Sequence, residues 1–405
     1  MDIENKKISG RQLGRMVFYD YFALPTLLLP GMLAGAVGMD GFFALAAGFA
    51  AGYGLLLVVL GQMRRMKQAG MDYHSYLEAQ FGTFTASVLL IIYLLTTLFG
   101  AAYGLRFLCS IARQYLIRDT SAWLVLALLV LLAVYGLFAG IESRGRMYEL
   151  LFWFAGIFLL ILFFMAVHNV DTARWVPVFG TELPRFLKNS YLVFAFLMSS
   201  LCLPMLSENL SDHADAARTL KQSFGVCACM NLVLFLLLTG IFGAPTVATM
   251  EEAVLTLTAL VKLPGGFLER QDALLCGIWL VSMFAFVENA LYYMVWCMKK
   301  LVETAQKRWG QNHADRSRKD TGQSQVEGKM ALLPAGAFVY VLAVCMYGSK
   351  ELTSLLARVY TRVAVPILVG IVLVMSLLSM WKNKNKIVEK EGNYSEAVQA
   401  EPGKH

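Results

Sequence analysis

The stretch Met16–Val37, MVFYDYFALPTLLLPGMLAGAV, decides the fold. It is long and apolar enough to cross a bilayer, which takes about 20 such residues, yet it contains Pro25 and Pro30. Each proline removes a backbone donor and crowds the carbonyl four residues earlier. Carbonyls freed in this way cannot face lipid, so they must line protein or a water-filled cavity. A second proline-bearing stretch, Ser190–Leu210 (SYLVFAFLMSSLCLPMLSENL, with Pro204), follows five apolar runs later. Interrupted spans at matching places in two halves point to a binding site near the membrane midplane.

The rest of the chain agrees with a membrane reading. Of 405 residues, 58% are hydrophobic and 16% charged, and the mean hydropathy is +0.59, which excludes an ordinary soluble domain. Apolar runs fall roughly at 13–37, 41–61, 85–108, 121–139, 147–167, 188–210, 221–242, 272–298, 331–347 and 357–380. The expected fold is therefore an all-α polytopic membrane protein of about ten spans. It is divided into an N-terminus (1–12), a membrane domain (13–380, with halves 13–167 and 188–380), a flexible loop at 305–328 and a disordered tail at 381–405. Met71–Phe84 is too polar to span and is expected to form a short interfacial helix, and Glu252–Val261 a helix over the opposite face. Ten spans put both termini on one side. Most Lys and Arg gather there, in clusters such as Lys6, Lys7, Arg11 and Arg15, then Arg64, Arg65 and Lys67. The positive-inside rule makes that side cytoplasmic. The net charge of +7 is thus topological, with no nucleic acid implied, and the basic residues of 305–328 are expected to touch anionic lipid weakly. The polar start runs into the first span without a small-residue cleavage pattern, so no removable signal peptide is expected.

Five spans plus five, each half opening on an interrupted helix, suggest a LeuT-type inverted repeat with broken helices 1 and 6. The candidate ligand-binding residues are Leu24, Pro25 and Thr26 at the first break, and Met198, Ser199 and Ser200 before the second. A half-helix N-terminus at the second break would suit a carboxylate. Tyr93, Thr96 and Thr97 share a face of the third span, where they either line a pocket or bond within their own helix, and Tyr292 lies one turn beyond Glu288. Asp20 and Glu288 are carboxylates at membrane depth, where a charge is a functional candidate by default. With no Lys or Arg in the fifth span, Met147–Val167, they either share a proton or cation, or Asp20 hydrates near the inner interface or Glu288 bonds a backbone group. Arg106 is expected to pair with Glu269, and Glu142, Arg144, Arg146 and Glu149 to pair locally at an inner turn. Walker, H-E-x-x-H and G-x-S-x-G patterns are missing from the sequence and its five histidines are scattered, so no catalytic residue, cofactor or metal is expected. Its seven cysteines imply no disulfide framework, and Cys227 and Cys229 should point apart on a helix.

Several stretches taken in order resemble the spore germination permease family, the B subunits of nutrient-germinant receptors. They are Ile8-Ser9-Gly10-Arg11-Gln12-Leu13, Leu29-Pro30 with Asp40-Gly41, Arg106 ahead of Arg118-Asp119-Thr120, Gly140 with Arg146, and Asp171 with Pro177-Val178-Phe179-Gly180. The most telling is Gly243-Ala244-Pro245 followed by Gly266-Phe267-Leu268-Glu269-Arg270 and Trp279. The likeness covers about residues 8–380. It implies a fold similar to amino acid–polyamine–organocation transporters and a role in sensing a small, amino acid-like nutrient in the inner membrane of a spore. It also implies partners, namely an A subunit and a C lipoprotein. A proton- or cation-coupled amino-acid transporter is the alternative. Where relatives carry Gly-x-Gly at the first break this chain has Ala23-Leu24-Pro25, and where they carry Gly-x-Glu before the second it has Phe196 and Met198. The pocket is therefore expected to be tighter and less polar than in relatives.

Overall fold

In the computed structural model, residues 7–117, 119–211, 213–250, 252–260, 271–308 and 322–379 are described. Each of the ten expected spans falls on helical chain. The first is α1 (Gly10–Val37), followed after a one-turn corner by α2 (Gly41–Ala69). Ser9 starts α1 with a capping box: its hydroxyl accepts from the Gln12 amide at 3.3 Å, and the Gln12 side chain accepts from the Ser9 amide at 3.0 Å. Gly70, at φ +62°, ends α2 in the left-handed conformation that only glycine adopts at little cost. Asp72 then caps the short helix α3 (Tyr73–Phe81) through the Ser75 amide at 3.0 Å. Next come α4 (Thr83–Tyr115), α5 (Ala122–Phe138) and α6 (Ile141–Val167).

The sixth span is interrupted as expected. α7 (Leu183–Phe196) gives way to a 3-10 turn (Met198–Cys202), then one α-turn, α8 (Leu203–Leu206), and a further 3-10 turn (Ser207–Asn209). The second half continues with α9 (His213–Phe242), the short α10 (Ala244–Val247) and α11 (Ala253–Leu260), then α12 (Gln271–Arg308) and α13 (Gly322–Gly348). It closes with α14 (Lys350–Val359), which runs through a π-helical turn (Tyr360–Ala364) and on to Ser379.

The first span departs from expectation. α1 passes through Pro25 and Pro30 as one α-helix. The reason lies in its surroundings: every side chain from Met16 to Leu27 is buried, and α1 packs on α9, α12 and α6. Packing on all sides holds the helical course although two hydrogen bonds are lost. Close approach helps, since a Cβ at Gly10 would stand 2.6 Å from the Ala216 amide nitrogen of α9.

Three further boundaries differ. α6 begins six residues before the expected Met147, which brings Arg144 into a helix. The expected loop 305–328 is helical at both described ends, because α12 continues to Arg308 and α13 starts at Gly322; 309–321 lies outside the described residues, as does the tail from 380. A helix forms at 253–260, as the sequence suggests. No disulfide forms among the described residues, and Cys227 is buried while Cys229 is exposed. Large apolar side chains such as Leu128, Leu150 and Phe164 point outward, as a lipid-facing surface requires.

Candidate functional site

A cavity of about 180 Å³ lies between α1, α4, the interrupted sixth span, α12 and the π-turn region of the tenth. Of the residues expected to bind ligand, Leu24, Tyr93, Thr96, Thr97, Met198 and Ser199 line it, and so does Asp20. Thr96 and Thr97 satisfy both alternatives, since they border the cavity while their hydroxyls donate to the Tyr93 carbonyl at 2.9 and 2.8 Å. The Ser199 hydroxyl is buried without a hydrogen-bond partner among the described residues.

Pro25, Thr26, Ser200, Tyr292 and Glu288 stand outside the lining. Ser200 is instead a tie between the two central spans, with its hydroxyl 2.8 Å from that of Tyr21. Thr26 is wholly buried, and its hydroxyl has no partner among the described residues. The Tyr292 hydroxyl accepts from Asn209 at 2.7 Å, and its ring lies 5.4 Å from the Arg144 guanidinium. Its neighbour Tyr293 takes the place foreseen for it, because one residue along a helix turns a side chain by about 100°. Sequence reasoning also passed over Phe286, Ala290, Cys202, Gly100 and Tyr360, all of which line the cavity. Ala290 and Tyr293 sit one and four residues after Asn289, whose bond to α1 sets the register.

Asp20 is 1% exposed. One carboxylate oxygen accepts from Asn289 Nδ2 at 2.9 Å and the other from the Tyr293 hydroxyl at 2.8 Å. Asn289 also donates to the Met16 carbonyl and accepts from Arg144 at 2.7 Å. Arg144 stands 3.2 Å from Glu288, both buried. This corrects the premise that the fifth span offers the two carboxylates no Lys or Arg. A cation reaches Glu288 from the fifth span after all, because α6 starts early enough to carry Arg144 inward. Glu288 fits against α5 only because residue 136 is glycine, where a Cβ would collide with its Oε1. Arg144 is thus not locally paired, whereas Arg146 and Glu142 are, at 2.6 Å, and Arg15 reaches Glu149. Arg106 has a buried Nε with no partner among the described residues, and its expected partner Glu269 lies outside them.

Beyond the cavity, on the side carrying the N-terminus, the chain is latched. Ile8 forms a parallel bridge with Leu210, donating to the Asn209 carbonyl at 2.8 Å and accepting from the Ser211 amide at 3.1 Å. Lys300 of α12 pairs with Asp72 at 2.6 Å and lies 3.7 Å from Glu208. Burial works against ionised Asp72, but bonds from Lys300 and Ser75 outweigh it and hold the carboxyl at about 2. His74 contacts the Thr304 hydroxyl at 3.1 Å, and burial lowers its pKa despite nearby Glu78 and Asp72. The Tyr73 hydroxyl meets that of Tyr93 at 2.9 Å, joining α3 to the cavity wall.

The helical arrangement and interrupted sixth span define a multi-pass membrane protein of the LeuT-type transporter fold. Solved structures agree on the fold. A Na+-coupled sialic acid symporter superposes with a TM-score of 0.64 over 88% of this chain and 77% of its own, at 14% identity. Mhp1, a nucleobase-cation-symport-1 family transporter, does so with 0.60 over 92% and 80%, at 15% identity. The family profile described as "Spore germination protein" matches residues 7–311, and the chain belongs to that family of spore permeases. Relatives include YndE of Bacillus subtilis (20% identical over 57% of this chain), GerLB of Bacillus cereus (25% over 72%) and spore germination protein KB of Bacillus subtilis (23% over 72%). The matched part spans 63% of YndE and 78% of the other two. Family and fold neighbours are permeases and transporters, not enzymes.

Proposed function

We propose that this chain is the membrane-embedded subunit of a spore germinant receptor, with both termini in the cytoplasm of the spore's inner membrane. A small, amino acid-like nutrient would enter the cavity between the first, third, sixth, eighth and tenth spans. An A subunit and a C lipoprotein would read the resulting shift of the helix bundle. The observation carrying this reading is the mostly apolar cavity that meets the 3-10 interruption of the sixth span and holds one buried carboxylate. A ligand shifts a two-state bundle only by its differential affinity for the two states. The latch on the N-terminal side, built from Ile8–Leu210 and Lys300–Asp72, is where such states would differ.

The test uses spores whose native copy is replaced by Gly100→Leu. Gly100 lines the cavity, and a Cβ there meets only the Phe286 ring at 4.0 Å, so the new side chain fills the cavity without a backbone clash. The variant should assemble at wild-type level and lose its nutrient response. A full response would refute the reading. The transporter alternative draws support from Asp20, which has neutral donors only and could carry a coupling cation. Counterflow of labelled solute in proteoliposomes, abolished by Asp20→Asn, would establish it.

A further inference from the structure

We infer that the cavity selects a small apolar amine, with an ammonium head and no free carboxylate, over an α-amino acid. The inference rests on the cavity being the ligand site proposed above. It follows from which charges border the cavity and which backbone groups are free to bind a ligand.

Asp20 is the one charged residue in the lining, and no Lys, Arg or His joins it among the described residues. Arg144, the nearby cation, faces Glu288 and Asn289 instead. The hydrogen-bond donors that meet the Asp20 carboxyl among the described residues are the neutral groups of Asn289 and Tyr293. Each carboxylate oxygen has two acceptor sites, so each retains one. A cationic head arriving from the cavity would pair with the ionised carboxylate, favour that form and use those sites. Ser199, whose buried hydroxyl has no partner among the described residues, is a second acceptor on the same wall.

An amino acid's carboxylate would find no cationic counterpart in the described lining. Transporter folds of this type can receive such a group at the freed amides of broken helices, but several of those amides are already bonded here. α1 is unbroken. In the sixth span the 3-10 turns keep the chain bonded: Leu197 donates to Phe194, Ser200 to Leu197 and Leu203 to Ser200. The carboxylate would also lie near Asp20, and two like charges in a poorly hydrated pocket repel strongly. The remaining walls, including Leu24, Phe286 and Ala290, suit a hydrocarbon body. A volume of about 180 Å³ limits that body to a few carbons, well below the roughly 300 Å³ at which drug-sized sites begin.

Three probes that share an isopentyl body decide the matter: isoamylamine, leucine and isocaproate. Binding is measured by calorimetry on the purified full chain in lipid nanodiscs. Isoamylamine should bind saturably, leucine about tenfold or more weakly because its carboxylate lies near Asp20, and isocaproate not at all because it brings no ammonium. Gly100→Leu and Asp20→Asn should each weaken isoamylamine by about tenfold or more. If leucine binds as tightly as isoamylamine and Gly100→Leu abolishes both, the amine selectivity is overturned and the cavity reading stands. If Gly100→Leu changes nothing, or none of the three binds, both are overturned. Unaltered isoamylamine binding in Asp20→Asn also overturns the selectivity. Should that variant fail to fold, the comparison of amine with amino acid on the unaltered chain still decides.

Discussion

Replacing Arg144 by Met should destabilise the protein far more than its place at the start of α6 suggests. The side chain is 2% exposed and lies 3.2 Å from Glu288, which is fully buried. Two unit charges at that separation attract by about 5 kcal/mol at an effective dielectric constant near 20. Losing one partner of a buried pair costs ~3–5 kcal/mol, mainly because the other charge is left uncompensated. Arg144 also donates to Asn289 at 2.7 Å, and Asn289 in turn holds Asp20 and the Met16 carbonyl, so the damage spreads to α1. Glu288→Gln alone strands the guanidinium and should cost a similar amount. Joining the two substitutions removes both charges and leaves mainly the orphaned Asn289 carbonyl, worth ~1–3 kcal/mol. The double variant should therefore be more stable than Arg144→Met by about 2 kcal/mol. Thermal unfolding of detergent-purified protein, followed by tryptophan fluorescence, measures all four corners of the cycle. An Arg144→Met midpoint equal to wild type, or a double variant no better than that single one, would refute the pairing.

Gly136→Ala should reproduce part of that loss without removing any charge, because the new methyl displaces Glu288 from α5; an unchanged unfolding midpoint would count against the close fit. Asp40→Ala should free the segment around 179–181, since Asp40 accepts from the amides of Phe179 at 2.5 Å and Thr181 at 2.8 Å; faster amide exchange confined there is the expected result. The latch should weaken with acid in two steps. The pKa of His74 is lowered, so its stabilising share is complete above the unfolded value of about 6.5 and falls away as pH drops through the folded one. Asp72 sits at about 2 against roughly 3.9 when unfolded, so its share persists above about pH 4 and is lost toward pH 2. Hydrogen exchange in α3 reads both steps, and His74→Gln should remove the first only.

Much of this was legible from residue order. Apolar runs and their breakers place every long helix, because a bilayer demands long apolar segments with internally satisfied backbones. The sixth span reads correctly because Pro204 follows residues that settle readily into 3-10 turns. The first does not, because whether a proline breaks a helix depends on what surrounds it, and the packing of α9 and α12 around α1 is not written in the local pattern. Tyr93, Thr96, Thr97 and Asp20 stand out by helical spacing and by depth. Tyr293 is missed in favour of Tyr292 since the register of α12 is set by a side-chain bond, Asn289 to Asp20, across 269 positions. Arg144 is missed because charges clustered near a turn read as locally paired, and a helix boundary six residues early changes that.

That one boundary changes the chemistry of the site. Without Arg144, Asp20 and Glu288 form a pair that must share a positive charge, and the natural candidates are a proton or a metal cation. With Arg144 spoken for by Glu288, the two carboxylates are no longer equivalent. Glu288 becomes part of the frame, fixed between α5 and α6 and facing away from the cavity. Asp20 alone borders the space where a ligand would lie, held in place by Asn289 and Tyr293 but not neutralised by them. A frame of this kind gives the bundle a rigid side and leaves, on the other, one carboxyl hydrogen-bonded by neutral donors. The binding of any cation at Asp20, whether a ligand's ammonium or a coupling ion, would then act on α1 and α12 together through the Asn289 bond. Those helices also carry the latch: Lys300 lies on α12, and Ile8 shortly precedes α1. On the proposed function, charge arriving in the cavity and opening on the N-terminal side would be coupled through two helices and one asparagine. Asn289→Ala should separate them, so that added ligand no longer alters amide exchange in α3. Persistence of the ligand-induced change in that variant would place the coupling elsewhere.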